Sequence, residues 1–550
     1  MTPIKSKKVL LLYTDKYYFV KQVYPFGLNI IADTLKRSGY QVEIETPFLP
    51  EEDMALNLRA VLDRIEPDVI GLGIRNLDTT MACEHYGNYE GDGFRTFYFL
   101  PDVKRMVDII KQYRPGIPLV AGGGAFSISS VSILEYLGLD YGFEGEGEQA
   151  FREFLDVYPD REKMTMIPGL VFRKGSSSFQ RNPRRSFSFG ANSFTIDREP
   201  KFAYAFETAG MPVQVKRGCN QNCSYCVEPQ IEGKRFSFRQ PDQVISELEM
   251  IAERHAGVRS LFFVDTEFNV PDLSYGVELI GRILNAGLHE SFRFASQFLP
   301  APFDADFAGR LKAAGFSVIL TADSFADSVL EKNGKSCRRN DILQALELCE
   351  QFGIDCTVNL IFGLPGENYE TVNSTIDAMA AYPETHLRRY EYTVGTRIYN
   401  GTPLHRFVGT HSVDDCLYGR QTPGCLEPLF YCSPASPQDL KHYIDERVPS
   451  PMVFFNRMDA QVFEKLAVGF LADQQLWDRA LERFAEIDVA AQTSIYEYLF
   501  RKLTENNRLD SARSISEQLL NGIFQSGQDA QYAQQIQVVQ HYLRLLTLYT

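Results

Sequence analysis

The sequence lacks several features that large classes of protein require. None of its 550 residues lie in an apolar run near the roughly 18 residues of a membrane span, so we expect no membrane partner. Basic residues are fewer than acidic ones, 56 against 71, and the net charge of −15 disfavours nucleic acid as a partner. The apolar stretch that follows MTPIKSKK is too short for a signal peptide, so we predict no export.

Cysteine is present but is not distributed as a disulfide framework. A dense set of cysteines in a small secreted domain would suggest disulfides, whereas these ten are spread over 550 residues with one tight group. That pattern is typical of free thiols plus a metal site, and it predicts a cytoplasmic protein. A chain of this length is expected to form two to four compact units.

The first 160 residues alternate strand and helix patterns. Continuous apolar strands such as VLLLY and VIGLGI are joined by amphipathic helices, which predicts a parallel sheet covered on both faces. We therefore predict a Rossmann-like, doubly wound α/β domain over residues 1–160. Ligands of such sheets bind beyond the carboxyl ends of the strands. The loops at those ends are Thr14 to Val20, Arg75 to Thr80, Gly122 to Ser130 and Glu144 to Glu148.

Three further units are predicted after this domain. Residues 161–205 are rich in Ser, Gly, Arg and Pro and indicate a linker with one short strand. Six strand patterns separated by helices then predict a partial (β/α)6 barrel over residues 206–410. Strand patterns disappear near residue 435, and residues 411–550 are predicted to form a helical C-terminal domain.

One cysteine group has the spacing of a metal site. Cys219, Cys223 and Cys226 form a CxxxCxxC pattern at the end of the first predicted barrel strand. Tetrahedral zinc needs a fourth ligand, and the next cysteine, Cys337, is more than a hundred residues away. Three thiolates suit a [4Fe–4S] cluster with one iron left without a protein ligand. Zinc with a distant fourth ligand stays the alternative.

This segment resembles the signature of the radical S-adenosylmethionine (SAM) superfamily, including the aromatic Tyr225 before the third cysteine. The resemblance implies that SAM chelates the open iron, and that an electron from the cluster cleaves SAM to methionine and a 5′-deoxyadenosyl radical. It also implies an external electron donor such as flavodoxin or ferredoxin. The cofactor would supply the difficult chemistry, and the protein would supply orientation and exclusion of water.

Weaker motifs follow in the order that this family has. Each is also compatible with an ordinary turn after a strand. By resemblance, the FFVDTEF acids would contact the amino group of SAM, TADS its ribose and NLIFGLPGE its adenine. YNGTPL resembles the PGTPL turn after the sixth strand, with Asn400 in place of the usual proline. The residues so assigned are Asp265, Thr266, Glu267, Asp323, Ser324, Asn359, Tyr399 and Gly401.

The first domain resembles the cobalamin-binding domain that precedes the barrel in class B radical SAM methyltransferases. PFGL, EPDVIGLGI, AGGG and DYGFEGEGEQAF carry the resemblance, which implies Thr14, Gly122, Gly123, Gly124 and Glu144 as candidate contacts. The cobalt-ligating DxHxxG motif is absent, and TDKYYFV occupies its place. We therefore predict Arg75 near the lower face of cobalamin, as a catalytic candidate that excludes a ligand because guanidinium does not give up its proton. A salt bridge of Arg75 with Asp78 or another acid is the alternative, as is loss of cobalamin.

The resemblances favour a cobalamin-dependent radical SAM methyltransferase that acts on an unactivated carbon of a small molecule. Rearrangement, cyclisation or ring contraction without methyl transfer is the second hypothesis, and a cobalamin or Fe–S sensor is the third. Two residue sets are less specific. Tyr392 and Arg397 could contact substrate but are more typical of packing, and we predict that Cys416, Cys425 and Cys432 are buried thiols.

Overall fold

The protein is described by a computed structural model. It covers residues 7–16, 23–50, 52–84, 87–91, 93–176, 178–185, 189, 197–255, 257–448, 453–454 and 460–549. Most of the TDKYYFV loop, and His85, lie outside the described residues. Among the described helices, none has both the length and the apolar character of a transmembrane segment.

The first part of the chain forms a seven-stranded sheet between two layers of helices. Its elements are β1 (Lys8–Tyr13), α1 (Phe26–Arg37), β2 (Gln41–Glu45), α2 (Met54–Ile65), β3 (Val69–Gly73), β4 (Tyr89–Gly91), β5 (Phe94–Thr96), α3 (Leu100–Tyr113), β6 (Leu119–Gly122), α4 (Gly124–Leu137), β7 (Tyr141–Phe143), α5 (Glu148–Val157), α6 (Arg161–Met164), β8 (Leu170–Arg173) and β9 (Phe179–Arg181). The strand order is β2-β1-β3-β6-β7-β8-β9, and the strands from β2 to β7 are parallel. The doubly wound α/β class is therefore confirmed.

The segment predicted as a linker contributes to this sheet. β8 pairs antiparallel with β7, and β9 pairs antiparallel with β8. The prediction of one short strand in residues 161–205 underestimated the segment, because strands of three or four residues leave little pattern in a sequence. The first sheet thus ends at Arg181 rather than near residue 160.

The second part is an open parallel barrel. Its elements are α7 (Tyr204–Ala209), β10 (Met211–Val213), β11 (Lys216–Arg217), α8 (Glu228–Ile231), β12 (Ser237–Phe238), α9 (Pro241–Arg254), β13 (Ser260–Phe263), α10 (Ser274–Asn285), α11 (Leu288–Ser291), β14 (Arg293–Phe298), α12 (Ala305–Ala313), β15 (Phe316–Asp323), α13 (Asp327–Lys332), α14 (Arg339–Phe352), β16 (Cys356–Phe362), α15 (Tyr369–Ala381), β17 (Arg388–Val394) and β18 (Thr396–Arg397). The sheet order is β10-β13-β14-β15-β16-β17, all parallel.

The strands of the barrel alternate between two environments. On β15 the residues Phe316, Val318 and Leu320 are buried, whereas Ser317 and Ile319 line an internal cavity. β16 repeats this alternation. Because successive side chains of a strand point to opposite faces, one set packs against the surrounding helices and the other faces the barrel interior. The interior is therefore available to a ligand.

The C-terminal part contains strands as well as helices. Its elements are α16 (Pro403–Val408), β19 (Leu417–Gly419), β20 (Leu429–Tyr431), α17 (Pro437–Asp445), β21 (Val453–Phe454), α18 (Ala460–Asp473), α19 (Trp477–Glu486), α20 (Val489–Glu505), α21 (Leu509–Ser526) and α22 (Ala533–Tyr549). β20 pairs antiparallel with β18 and β19, and β21 adds a seventh parallel strand beside β17. The predicted helical C-terminal region is confirmed by the five terminal helices, and the short strands β19, β20 and β21 precede them in the chain.

Buried polar contacts join the first sheet unit to the barrel. Arg397 forms an ion pair with Asp78, with 2.7 Å between Nε and Oδ2. Arg217 pairs with Glu148 at 2.8 Å, and the Ser129 hydroxyl donates to the Gly424 carbonyl at 2.6 Å. These contacts fix the carboxyl edges of the two sheets relative to each other.

Candidate active site

One cavity of about 1400 Å³ lies between the carboxyl ends of the two parallel sheets. The first unit lines it with the loops after β3 and β6, and the barrel lines it with the ends of its strands. Pockets for a single drug-sized ligand are typically about 300–1,000 Å³, so this cavity has room for more than one small ligand. Of the predicted residues, it is lined by Arg75, Gly122, Gly123, Gly124, Cys219, Cys223, Tyr225, Cys226, Asp265, Thr266, Glu267, Asp323, Asn359, Tyr392, Arg397 and Tyr399.

The three motif cysteines, Cys219, Cys223 and Cys226, lie on the loop between β11 and α8. Their loop is held from two sides, because Cys219 donates its backbone N–H to Gly233 at 3.0 Å and Ser224 donates its own to Asn333 at 2.9 Å. The structure thus places three thiols on one wall of the cavity.

Burial favours the neutral form of the three motif thiols unless a cation is bound beside them. Burial raises the pKa of Cys219 to about 11 and that of Cys223 to about 12, and it raises the pKa of Cys226 well above its ordinary value. Thiolates are the metal-binding form, so these groups need the charge of iron to lose their protons. Within the described residues, no three Cys, His, Asp or Glu side chains converge as the ligands of a single metal ion do. Cysteines that hold a cluster bind different irons and need not converge in this way.

The acids after β13 present unpaired oxygens beside the cysteines. Asp265 accepts hydrogen bonds at Oδ1 from the backbone N–H groups of Val215 and Lys216, both at 3.0 Å. Its Oδ2, and Oε2 of Glu267, are buried without a hydrogen-bond partner in the described part of the chain. Burial raises the pKa of Asp265 to about 7. Such oxygens fit an ammonium group, whose hydrogens would satisfy them.

Thr266, between these two acids, has a different contact. Its hydroxyl donates to the carbonyl of Gly218, the residue before Cys219, at 3.3 Å. Thr266 therefore ties the end of β13 to the start of the cysteine loop.

Asp323 forms a small buried network at the end of β15. Its Oδ2 accepts a hydrogen bond from the Tyr225 hydroxyl at 2.5 Å and lies 3.2 Å from Nζ of Lys335. The backbone of Asp323 has a positive φ of 66°, so the chain turns sharply there. Ser324 consequently points away from the cavity, with its hydroxyl 3.2 Å from that of Thr375. The structure brings Asp323, but not Ser324, into the site.

The later barrel strands add neutral groups. Asn359 points into the barrel interior, and its Oδ1 is buried without a partner in the described residues. Tyr399 lines the cavity and lies beneath the Arg397 guanidinium, 5.1 Å from ring centroid to Cζ. Gly401 lies outside the cavity lining, and its backbone contacts Gln230 so closely that a β-carbon would lie 2.7 Å from Oε1. Packing against Gln230 therefore explains the glycine at position 401.

The first unit contributes a glycine loop. Gly123 has φ of +108°, and a β-carbon there would lie 2.5 Å from the carbonyl oxygen of Ile74. Gly122 has open space, with only the Phe143 carbonyl 3.9 Å from an added β-carbon. The loop therefore offers bare backbone to a large flat ligand.

Arg75 lies on the cavity wall, with about half of its side chain exposed. Its Nη1 is 3.7 Å from Oδ2 of Asp15. Asp78 instead pairs with Arg397, so the salt bridge expected as the alternative for Arg75 is made with another acid, Asp15. Asp15 itself is buried, and burial raises its pKa to about 6.

Thr14 and Glu144 lie on the expected loops but outside the cavity lining. Thr14 donates its hydroxyl to the Gly73 carbonyl at 2.9 Å, and Glu144 pairs with Arg181 at 2.9 Å. Both groups hold the loops in place. The sequence motifs that contain Thr14 and Glu144 indicated the correct loops but not the direction of these two side chains.

Glu228 and Lys335 are among the charged residues of the site that were not predicted. Glu228 lines the cavity directly after the cysteine motif, and burial raises its pKa to about 7. Lys335 is buried against Asp323. The letters CVEP, with an acid two residues after the third cysteine, could have indicated Glu228, whereas Lys335 lies in the loop before α14 and gave no pattern.

The cysteines outside the motif form no second site among the described residues. Cys425 and Cys432 are buried, Cys416 is half-buried, and all three are free thiols. The prediction of buried thiols is confirmed for Cys425 and Cys432.

Comparisons with known proteins agree with this arrangement. Residues 213–379 match the family model described as the Radical SAM superfamily. The chain is 25% identical over 419 residues to tryptophan 2-C-methyltransferase of Streptomyces laurentii, covering 64% of this chain and 67% of that protein. It is 21% identical over 362 residues to hopanoid C-3 methylase of Methylococcus capsulatus, covering 64% and 62%.

Two solved structures share the fold over most of the chain. The radical SAM methyltransferase TsrM of Kitasatospora setae, with cobalamin and a [4Fe–4S] cluster bound, superposes with a TM-score of 0.69 at 22% identity, covering 87% of this chain and 99% of that one. The cobalamin-dependent radical SAM enzyme OxsB superposes with a TM-score of 0.62 at 14% identity, covering 99% and 84%. Residues 213–379 therefore match the Radical SAM superfamily, and the chain shares its overall fold with these two enzymes.

Proposed function

We propose that this protein is a cobalamin-dependent radical SAM enzyme that methylates an unactivated carbon of a small molecule. The observation that carries the proposal is the single cavity, which has the three motif cysteines on its barrel wall and the glycine loop with Arg75 on the opposite wall. When bound, the cluster would cleave SAM reductively and cobalamin would carry the methyl group. An external one-electron donor of the flavodoxin or ferredoxin type would reduce the cluster.

The donor sets of the cavity fit these groups. The motif cysteines would hold the cluster, and the unpaired oxygens of Asp265 and Glu267 would accept hydrogen bonds from the SAM ammonium group. Asp323 would accept from the ribose hydroxyls, with Lys335 and Tyr225 fixing its carboxylate. Each assignment uses a polar group that already faces the cavity.

The first unit, extended to residue 181, would hold cobalamin. The bare backbone at Gly122 and Gly123 would admit a flat macrocycle, and the Arg75 side chain would lie beside it on the cavity wall. A guanidinium excludes water and donates hydrogen bonds without ligating a metal. The contacts between the two units would keep solvent from the reacting groups.

Rearrangement or ring closure without methyl transfer is the second candidate. It would use the same cavity and the same polar groups beside the cysteines. A binding protein without catalysis would not need the unpaired acids beside the cysteines, so we place the sensor hypothesis last.

The test begins with anaerobic purification with added cobalamin, followed by quantification of iron, sulfide and cobalt. We expect four irons and one cobalt per chain, with iron lost from the Cys223→Ala variant. Cys349→Ala is the matched control, because Cys349 is buried on α14 outside the cavity. Iron retained by Cys223→Ala at the wild-type level would contradict the cluster, and absence of cobalt from the wild type would contradict methyl transfer.

Turnover then separates the candidates. The reduced protein is incubated with methyl-labelled SAM and a panel of small molecules that includes tryptophan. S-adenosylhomocysteine together with a product heavier by one methyl group supports methyl transfer. 5′-Deoxyadenosine with a product of unchanged methyl content selects rearrangement.

A further inference from the structure

The loop between the first two motif cysteines reaches the protein surface. Asn220 and Asn222 are exposed, although Cys219 beside them is buried. A group held by these cysteines would therefore lie only a few residues from solvent at this loop. Electron transfer between proteins weakens steeply with distance, so a donor protein docked at this loop would lie close to the cluster position.

Three chain segments surround this loop and contact it directly. Lys234 donates a hydrogen bond from Nζ to Oδ1 of Asn222 at 3.2 Å. The backbone of Gly334 approaches Asn222 so closely that a β-carbon would lie 2.5 Å from its carbonyl oxygen. Leu404 donates its backbone N–H to the Ser224 carbonyl at 2.8 Å. The three segments thus form one continuous surface around the loop.

Each segment carries exposed cations. We call Lys234, Arg235, Lys332 and Arg406 the cationic surface, and all four side chains are exposed. Lys332 lies over the ring of Phe407, 5.4 Å from Nζ to the ring centroid, which connects the second segment to the third. One exposed acid, Glu331, adjoins Lys332.

This surface has the opposite sign to the protein as a whole. The chain has a net charge of −15, yet four cations and one acid surround the cysteine loop. No ion pair within the described residues involves any of the four cations. Oppositely charged surfaces raise association rates and orient the partners, and this effect weakens as salt screens it.

We propose that the cationic surface docks an acidic one-electron donor protein, with a reduced flavin or iron–sulfur group, against the loop from Asn220 to Asn222. The proposal rests on the proposed function, because only a cluster in need of an electron requires such a partner. In this step the donor loses one electron and the cluster gains it, and no bond is formed or broken. Redox encounters use small interfaces of less than about 1,200 Å², so a few charges can dominate them.

The experiment compares two charge-reversal variants of the full-length holoenzyme. Lys234→Glu with Lys332→Glu reverses two charges of the cationic surface. Arg59→Glu with Lys174→Glu is the matched control, because these exposed cations lie on α2 and on the β8–β9 turn of the first unit. Both variants change the net charge equally, so only the place of the change differs.

Binding and turnover are read separately. Binding of oxidised flavodoxin is measured by its flavin fluorescence anisotropy at low and high salt, without any turnover. SAM cleavage is then driven either by reduced flavodoxin or by photoreduced 5-deazariboflavin, a small uncharged reductant that does not need a docking surface.

We expect the cationic-surface variant to bind flavodoxin about 10- to 100-fold more weakly at low salt, and the flavodoxin-driven rate to fall accordingly. Cleavage driven by deazaflavin should be unchanged in both variants. Equal flavodoxin binding by the two variants, or no binding by the wild type, overturns the docking proposal. Absence of SAM cleavage with deazaflavin in the wild type instead overturns the proposed function, and the binding measurement still decides the surface.

Discussion

The ion pair between Asp78 and Arg397 yields the sharpest prediction about how the cavity is held together. Both side chains are almost fully buried, with exposed fractions of 0% and 2%. Asp78 accepts from Arg397 at 2.7 Å and from the Thr80 backbone N–H at 2.9 Å. Arg397 also donates to the Cys425 carbonyl at 2.9 Å. The pair therefore connects the loop that carries Arg75 to the end of the barrel sheet.

Asp78→Asn keeps the size of the side chain and removes its charge. It leaves a buried guanidinium unpaired, which typically costs about 3–5 kcal/mol. The N–H₂ group of the new asparagine would face one of the two groups that donate hydrogen bonds to Asp78, so one of these hydrogen bonds is lost. Because about 1.4 kcal/mol is a factor of ten, local opening of this interface should become about two to four orders of magnitude more frequent.

Hydrogen–deuterium exchange measures this opening directly. We expect faster exchange in peptides that cover residues 74–80 and 396–400, with exchange of the C-terminal helices unchanged. Asp242→Asn is the matched control, because Asp242 pairs with Arg282 on the surface, where a pair is worth about 0–1 kcal/mol. In an Arg397→Met background, Asp78→Asn should have a much smaller effect. Equal exchange in Asp78→Asn and Asp242→Asn would refute the reasoning.

Three further predictions concern single side chains. Glu247→Gln should lower the free energy of unfolding of the barrel by about 3–5 kcal/mol, because Glu247 is fully buried between Arg198 and Arg239. The measurement is urea unfolding followed by hydrogen exchange of barrel peptides. A decrease below about 0.5 kcal/mol contradicts this prediction. Burial raises the pKa of Glu367 to about 8, so the folded protein keeps a proton that the unfolded chain loses above about pH 4.5. The free energy of unfolding of the wild type, relative to that of Glu367→Gln, should therefore fall by a few kcal/mol between pH 4.5 and 8. A constant difference between the two proteins across that range would be inconsistent with this prediction. Gly123→Ala should lose bound cobalamin but keep its iron, because the added methyl group meets the Ile74 carbonyl, whereas Gly281→Ala, with open space, should keep both.

The sequence predicted the two parallel sheets because apolar strand segments alternate with amphipathic helices in both parts of the chain. It predicted β8 as the one short strand of residues 161–205, but it did not predict β9 or short strands such as β18 and β21, because strands of two or three residues carry too few alternating positions. The strand order of each sheet was also beyond the sequence, since order depends on crossovers between distant segments.

The candidate site was predicted only in part, because some of its features depend on neighbouring residues in the chain and others on the tertiary structure. The spacing of the motif cysteines is a local property, so three cysteines close together in one loop indicated a metal site. The direction of a single side chain is not local. Ser324 turns away because Asp323 adopts a left-handed backbone conformation, and Thr14 and Glu144 hydrogen-bond to neighbouring loops instead of facing the cavity.

By itself, the sequence determined which backbone segments become strands and helices and which loop carries the cysteines, because hydrophobic periodicity and ligand spacing act over a few residues. Only the tertiary structure decided that Arg397 pairs with Asp78, more than 300 positions away, and that four cations from separate segments surround the loop from Asn220 to Asn222. Such arrangements depend on how the two sheets meet across one cavity. The physical reason is that charge pairing and enclosure depend on distance in space, which the order of residues along the chain does not specify.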